Sequence, residues 1–296
     1  MNKEQFTVAL IIELKKRLGK DYNVLSNITL KTNGLKLTGL IISKSEGASI
    51  VSPNIYIDEY FKDYQRGAKS MADIVEAVLI CYYTIPFTDD IEQKLSGVYL
   101  DYKKHVRCKL INTEKNKELL ESSPHREWNN LSIVYYLVID EDYNNSYMTV
   151  GIDNNLQRRL GVSEEELYQL ALHNMDASVE SMTNYLLDND VIGEEDVIED
   201  NLFSMYIART KASYGAVSIL KPNLLSDLAK KLCSNFLYLI PSSIHEMLII
   251  KAKEFVSVNS INDMIHYINQ TQVMPDEFLS DICYRYDSTT NRISVA

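Results

Sequence analysis

The sequence lacks the short motifs that usually reveal a cofactor or a metal. It has ten glycines, but neither the Gly-x-Gly-x-x-Gly nor the Gly-x-x-x-x-Gly-Lys pattern of phosphate-binding loops occurs. Its five histidines are scattered without short ligand spacings. Its four cysteines form no Cys-x-x-Cys pair: Cys81, Cys108, Cys233 and Cys283. We therefore expect no cofactor, no metal site, and cysteines that are reduced and buried.

A hydrophobic run long enough to cross a membrane is also missing. A spanning helix needs about 18–20 apolar residues, and the longest run here, residues 8–12, is interrupted by Glu13. Lys15, Lys16 and Arg17 follow that run, whereas a signal peptide carries its positive charges before the apolar stretch. The sequence thus predicts no membrane association and a cytoplasmic protein.

Positive charge is scarce. The chain has 30 Lys and Arg against 41 Asp and Glu, a net charge of -11, and affinity for nucleic acids depends largely on cations that neutralise phosphates. The most basic stretch, residues 103–107, is short and contains no interleaved aromatic residues. We expect no nucleic-acid partner.

What is present indicates a folded α+β protein. Hydrophobic residues make up 46% and charged residues 24% of the 296 positions, which are ordinary values for a globular chain. Apolar spacing predicts a first helix over residues 3–18, and Asn33-Gly34 between two alternating segments predicts a type I′ hairpin turn. Segments 131–139 and 147–152 are rich in β-forming residues and predict an antiparallel pair. The fold class is therefore α+β, with antiparallel sheets packed against amphipathic helices in two lobes.

The acidic stretch 188–200 is the best candidate for a linker, because it has seven acidic residues in thirteen positions and few apolar anchors. It divides the chain into an N-terminal region, 1–187, and a C-terminal region, 201–296. The C-terminal pattern predicts two strands, a helix, two strands and a helix, in the following segments: 202–208, 215–220, 224–232, 236–240, 244–250 and 261–268. Segments 284–286 and 292–295 predict a closing strand pair.

A complete helix start occurs at residues 162–167. Ser163 is the N-cap, Glu166 completes a capping box, and Val162 with Leu167 forms a hydrophobic staple. Acidic residues in the first turn of a helix interact favourably with the positive end of the helix dipole. This interaction accounts for Glu164 and Glu165 without a functional role.

The first candidate site is His125 with Arg126, at a junction predicted between a helix and a strand. Such loops often carry functional groups, and a histidine near an acid can act as a general base. The alternative is that both residues hold the loop in place by bonding carbonyls or a carboxylate.

The second candidate is residues 241–246, where Ser242, Ser243, His245 and Glu246 bring hydroxyl, imidazole and carboxylate groups together. If a strand begins at Ile244, His245 and Glu246 point to opposite faces and cannot form one dyad. This favours a structural hairpin loop in which a serine satisfies backbone donors.

Several ordered phrases resemble a bacterial family catalogued as a domain of unknown function, the uncharacterised 5688 family. The match runs over residues 55–287 and is carried by these residues: Leu110, Ile111, Asn112, Asn116 and Leu119; Pro124 and His125; Gly161 to Tyr168 with His173 and Asn174; Tyr214, Gly215 and Ala216; and Pro241 to Glu246. The resemblance implies an intracellular bacterial protein and no particular activity. It adds Asn112 and Asn116 to the candidate residues.

Two main hypotheses follow, beside a third in which the protein is a structural component of a larger assembly and has an exposed apolar patch. The first is a binding or regulatory module for another protein, which the missing catalytic motifs, the acidic charge and the 20 tyrosines favour. The second is a hydrolase or transferase whose site converges from His125 and Arg126 with His245 and Glu246. The sequence leaves the oligomeric state open.

Overall fold

The computed structural model describes residues 1–44, 54–84, 89–143, 146–193, 205–211, 213–252 and 257–296. The described chain divides into two compact units, Met1–Lys31 with Leu35–Gly97, and Thr32–Gly34 with Val98–Ala296. Within the described residues, every helix is too short or too polar to cross a membrane.

The first unit packs helices against a small antiparallel sheet. Its strands have the order β1 (Tyr22–Leu30), β2 (Lys36–Lys44) and β3 (Asn54–Tyr56). Its helices are α1 (Lys3–Leu18), α2 (Asp58–Gln65), α3 (Met71–Thr84) and most of α4 (Asp89–Leu100). The core is formed where the apolar stripes of α1 and α3 meet one face of the sheet, with Phe6, Leu10, Ile42 and Val78 almost fully buried.

The second unit begins with a sheet built around one long strand. β6 (Leu131–Tyr143) pairs with β4 (Val106–Asn112) on one side, and with β5 (His125–Trp128) and then β7 (Ser146–Gly151) on the other. The helices of this part are α5 (Tyr102–His105), α6 (Lys117–Glu121), α7 (Asn154–Leu160) and α8 (Glu164–His173). α8 packs on β4 and β6 through Leu167 and Ala171, which are buried.

The remainder of the second unit is a six-stranded sheet in the order β13-β12-β10-β11-β9-β8. Its strands are β8 (Ser178–Ser181), β9 (Met205–Arg209), β10 (Phe236–Pro241), β11 (Met247–Lys251), β12 (Tyr284–Asp287) and β13 (Arg292–Val295). The accompanying helices are α9 (Met182–Asp188), α10 (Leu224–Lys231) and α11 (Val258–Thr271). All the strand pairings described in this sheet are antiparallel, which confirms the α+β class.

Most of the predicted elements are present. Ser163 and Glu166 form the capping box at the start of α8. The hairpin of β1 and β2 is present and Asn33 and Gly34 both have positive φ, 62° and 72°, but its loop is the three-residue 3-10 turn Thr32–Gly34 rather than a two-residue type I′ turn, because the N–H of Lys31 donates to the carbonyl of Leu35. The predicted strand at 244 begins later, at Met247. The linker predicted at 188–200 stays a prediction, since residues 194–200 lie outside the described part of the chain.

The strand predicted at 215–220 is wrong, because Gly215–Leu220 forms a 3-10 helix. Residues 215–219 are all buried, and a short apolar run that is buried on every side shows neither the helical nor the strand period. Gly215 also approaches other backbone so closely that a side chain would not fit. An added Cβ would lie 2.5 Å from the carbonyl oxygen of His245 and 2.6 Å from the backbone nitrogen of Thr210.

Two glycine substitutions should therefore change stability in opposite directions. Gly215→Ala forces backbone atoms apart and should lower the free energy of unfolding by about 1–3 kcal/mol. Gly97→Ala lies in α4 where an added Cβ meets nothing within 4 Å, and it should raise stability by about 0.5–1 kcal/mol. Urea unfolding of both variants against the unsubstituted protein measures this, and a stable Gly215→Ala variant would contradict the close approach.

Candidate functional site

Arg126 lies on β5 and is held by the first turn of α8. Its Nε donates to Glu164 Oε1 at 3.1 Å and its Nη2 donates to Glu164 Oε2 at 2.8 Å, a bidentate pair. Nη2 also contacts the carboxylate of Glu165, and the guanidinium carbon lies 4.0 Å from the centre of the Tyr168 ring. Tyr135 completes the cluster by donating its hydroxyl to Glu164.

Arg126 and Glu165 are charged at neutral pH. The hydrogen bonds that Arg126 donates to Glu164 and Glu165 raise the pKa of Arg126, and the guanidinium lowers the pKa of Glu165. Burial, and then the bond to Glu164, raise the pKa of Tyr135. A general acid or base works best with a pKa near the operating pH, so this cluster is suited to holding α8 against the sheet rather than to moving protons.

His125 precedes Arg126 but has a different environment. Its side chain is exposed, and its Nδ1 donates to the carbonyl oxygen of Ser123 at 2.9 Å. Alternation along β5 turns it to the opposite face from Arg126. This corresponds to the alternative in which His125 secures a loop carbonyl.

The loop 241–246 bonds within itself and to its neighbours. Ser242 donates its hydroxyl to Glu246 Oε1 at 3.2 Å, and Ser243 Oγ accepts the backbone N–H of His245 at 3.0 Å. His245 Nδ1 accepts the backbone N–H of Tyr214 at 3.3 Å, and the imidazole stacks on the Tyr214 ring with centroids 5.6 Å apart.

The second imidazole nitrogen of His245 is also engaged. Nε2 lies 3.5 Å from a carboxylate oxygen of Glu277, which suits the tautomer with its proton on Nε2. A Ser-His catalytic pair needs a hydroxyl that donates to the imidazole. Within the described residues, the two ring nitrogens of His245 face the N–H of Tyr214 and the carboxylate of Glu277. The hydroxyl of Ser242 bonds Glu246 and that of Ser243 bonds the N–H of His245, so neither serine donates to the imidazole.

The two candidate clusters lie on opposite faces of β6. Tyr135 reaches the cluster of Arg126, while the next residue, Tyr136, packs edge-on against Tyr214, which stacks on His245. Successive strand residues point to opposite faces. No described hydrogen bond or ion pair joins His125 or Arg126 to His245 or Glu246, so the geometry gives the convergent enzyme hypothesis no common site.

Asn112 and Asn116 belong to a buried amide network, and the two residues are 9% and 2% exposed. Asn116 Nδ2 donates to Asn33 Oδ1 at 2.8 Å and to the carbonyl of Asn112 at 2.7 Å, while its Oδ1 accepts the backbone N–H of Asn33 at 2.7 Å. Asn112 Nδ2 donates to the carbonyl of Leu279 at 3.0 Å. All of these bonds lie within the second unit.

The network holds residues 275–283, a segment between α11 and β12 with no helix or strand. Asn33 Nδ2 donates to the carbonyls of Pro275 and Phe278, at 2.9 and 2.7 Å. Three other asparagine side chains bond the second half of the segment: Asn130 to Ser280 Oγ, Asn269 to the Ser280 carbonyl, and Asn262 to the Cys283 N–H. Asparagine suits this task because its amide offers two donors and an acceptor.

One open cleft lies beside the Arg126 cluster, and we call it the α8 cleft. It has a volume of about 480 Å³ and is lined by Tyr102, Lys103, Val162, Glu165, Glu166, Gln169, Leu170 and His173. Glu165 therefore both pairs with Arg126 and borders the cleft, and Gln169 donates to it at 2.8 Å.

The α8 cleft combines an apolar floor with a charged rim. Val162 is buried and Tyr102 and Leu170 are half-buried, whereas Lys103, Glu165, Glu166 and His173 are exposed. Hydrogen bonds from Ser163 lower the pKa of Glu166, which keeps it charged. The sequence showed the capping box but not the cleft, because Tyr102 and Leu170 are brought together only by tertiary packing.

Comparison with known proteins gives a family and nothing more. A family model described as a family of unknown function (DUF5688) matches residues 3–288, further toward the N-terminus than the resemblance seen in the sequence. No curated protein and no solved structure matches the chain.

The amide network generates a stability prediction. Asn116→Ala removes three hydrogen bonds and leaves the N–H and the side-chain oxygen of Asn33 without these partners, so the free energy of unfolding should fall by about 2–4 kcal/mol. The matched control is Asn235→Ala, since Asn235 is exposed and should change stability by less than about 0.5 kcal/mol. Chemical denaturation of both variants tests this, and equal stabilities would contradict it.

Proposed function

The chain belongs to DUF5688, a family of unknown function, and we propose that it is a cytoplasmic protein-binding module whose contact site is the α8 cleft. The observation that carries this proposal is the apolar floor surrounded by charged side chains. Protein interfaces typically have this arrangement, with a few desolvated anchors at the centre and a polar rim.

The size of the cleft sets the size of what it binds. A volume of about 480 Å³ falls within the range of about 300–1,000 Å³ that is usual for ligand pockets. It can receive one or two apolar side chains such as Leu, Met or Phe from a partner. Leu100, two residues before Tyr102, is 89% exposed and offers further apolar contact.

The rim is rigid enough to select a partner. Glu165 is fixed from two directions, by Arg126 and by Gln169, and Glu166 is fixed by the N-cap Ser163. Groups that are held before binding lose little conformational entropy on binding. In this proposal Arg126 positions the rim and does not touch the partner.

The proposal is tested with random peptides displayed on phage and selected on the unsubstituted protein. We expect enriched peptides to share an apolar anchor residue and to bind with dissociation constants on the order of 1–100 μM. Leu170→Arg places a charge in the apolar floor of the cleft, and the affinity of these peptides should fall by at least about a hundredfold. Gln169→Trp should also weaken them, because it fills the cleft from an exposed position.

The matched control is Val191→Arg, at an apolar position that is 64% exposed and does not line the cleft. It should bind the peptides as the unsubstituted protein does. Circular dichroism confirms that each variant is folded. Peptides that bind folded Leu170→Arg and Gln169→Trp with unchanged affinity, or a selection that enriches no peptide, would overturn the proposal.

A further inference from the structure

The second unit has a sheet edge at β13, away from the α8 cleft. β13 pairs with β12, and among the described strands no other pairs with it. The backbone N–H of Ala296 donates to the carbonyl of Cys283 at 3.1 Å. Because antiparallel pairing alternates, the backbones of Arg292 and Ser294 face β12, and those of Ile293 and Val295 face outward.

One face of this edge is apolar and leads into a cleft, which we call the Trp128 cleft. Ile293 is paired with Tyr286, and both line this cleft of about 350 Å³ together with Trp128, while Lys221 and Arg292 also border it. Val295 lies on the same face by alternation and is 47% exposed. Trp128 packs against Tyr284, with ring centroids 5.2 Å apart.

The other face of the same edge is positively charged. Arg285 and Arg292 are exposed there, and neither takes part in an ion pair of the described residues, although the guanidinium carbon of Arg285 lies 5.2 Å from the centre of the Phe236 ring. Asp287 is paired with Arg292 in the strand register, but its carboxylate accepts the N–H of Thr289 at 2.8 Å and the Thr289 hydroxyl at 2.6 Å. The bonds from Thr289 lower the pKa of Asp287 and keep it charged, so this face carries two guanidinium groups and one carboxylate in a chain of net charge -11.

We propose that β13 receives an extended segment of a partner protein as an added strand, with apolar side chains facing the Trp128 cleft and acidic side chains facing Arg285 and Arg292. Strand addition takes its affinity from main-chain hydrogen bonds and its specificity from alternate side chains. An extended segment places alternate side chains on opposite faces, so its apolar residues would contact Ile293 and Val295 while its acidic residues lie near Arg285 and Arg292. This site is independent of the α8 cleft.

The fluorescence of Trp128 reports occupation directly, because the chain contains one tryptophan. The probe is a synthetic peptide, capped at both ends, in which Val and Glu alternate; the matched probe alternates Val and Lys. We expect a saturable change in emission with the Val-Glu peptide, at least about tenfold weaker binding of the Val-Lys peptide, and a loss of affinity as salt is added.

Two variants at one position separate backbone pairing from side-chain packing. Val295→Pro removes an outward N–H without removing a bond to β12, and an edge strand tolerates proline in that orientation. It should weaken binding of the Val-Glu peptide about tenfold, which is the effect expected from the loss of one hydrogen bond. Val295→Ala keeps the N–H and should change affinity by less than about threefold.

Leu170→Arg should leave this binding unchanged, so a failure of the α8 cleft proposal is distinguishable from a failure here. Equal binding of the two peptides, equal effects of Val295→Pro and Val295→Ala, or no change in Trp128 emission would overturn the added strand. Sedimentation that shows a dimer dissociated by Val295→Pro would also overturn it, because the edge would then be occupied by a second copy of the chain.

Discussion

The arrangement of the second unit depends on asparagine side chains that replace backbone pairing along residues 275–283. Within the described residues this segment forms no helix or strand, yet Leu279, Ser280 and Cys283 are buried. Buried carbonyl and N–H groups that lack partners are costly. Four asparagine amides meet this requirement from separate parts of the chain: Asn33, Asn112, Asn262 and Asn269. The segment thereby acquires one defined path between α11 and β12.

The candidate residues of the loop 241–246 and Arg126 also hold segments of the chain in place. Glu277 lies within the segment, accepts the N–H of Ile244 at its carbonyl and faces His245 with its carboxylate. The loop 241–246 is therefore anchored to a segment that is itself anchored. Arg126 has the corresponding task on the other face of β6, where it fixes the start of α8.

The sequence predicted elements whose causes are local. The start of α8, the turn at Asn33-Gly34 and the β12-β13 pair depend on residues a few positions apart. The Arg126-Glu164 pair and the Asn112-Leu279 bond join residues 38 and 167 positions apart, and no periodicity encodes such separations. The 3-10 helix at Gly215–Leu220 was missed because complete burial removes the alternation that marks a strand.

The amide network is tested most directly by hydrogen exchange, measured residue by residue along the 275–283 segment of the native protein. The N–H of Cys283 is bonded to Asn262 Oδ1 at 2.8 Å and the N–H of Ile282 to Ser280 Oγ at 3.1 Å. Both should exchange as slowly as the amides of β10, although neither is in a strand. Exchange at the rate of an exposed loop would show that the side-chain bonds do not hold the segment, and would contradict the account.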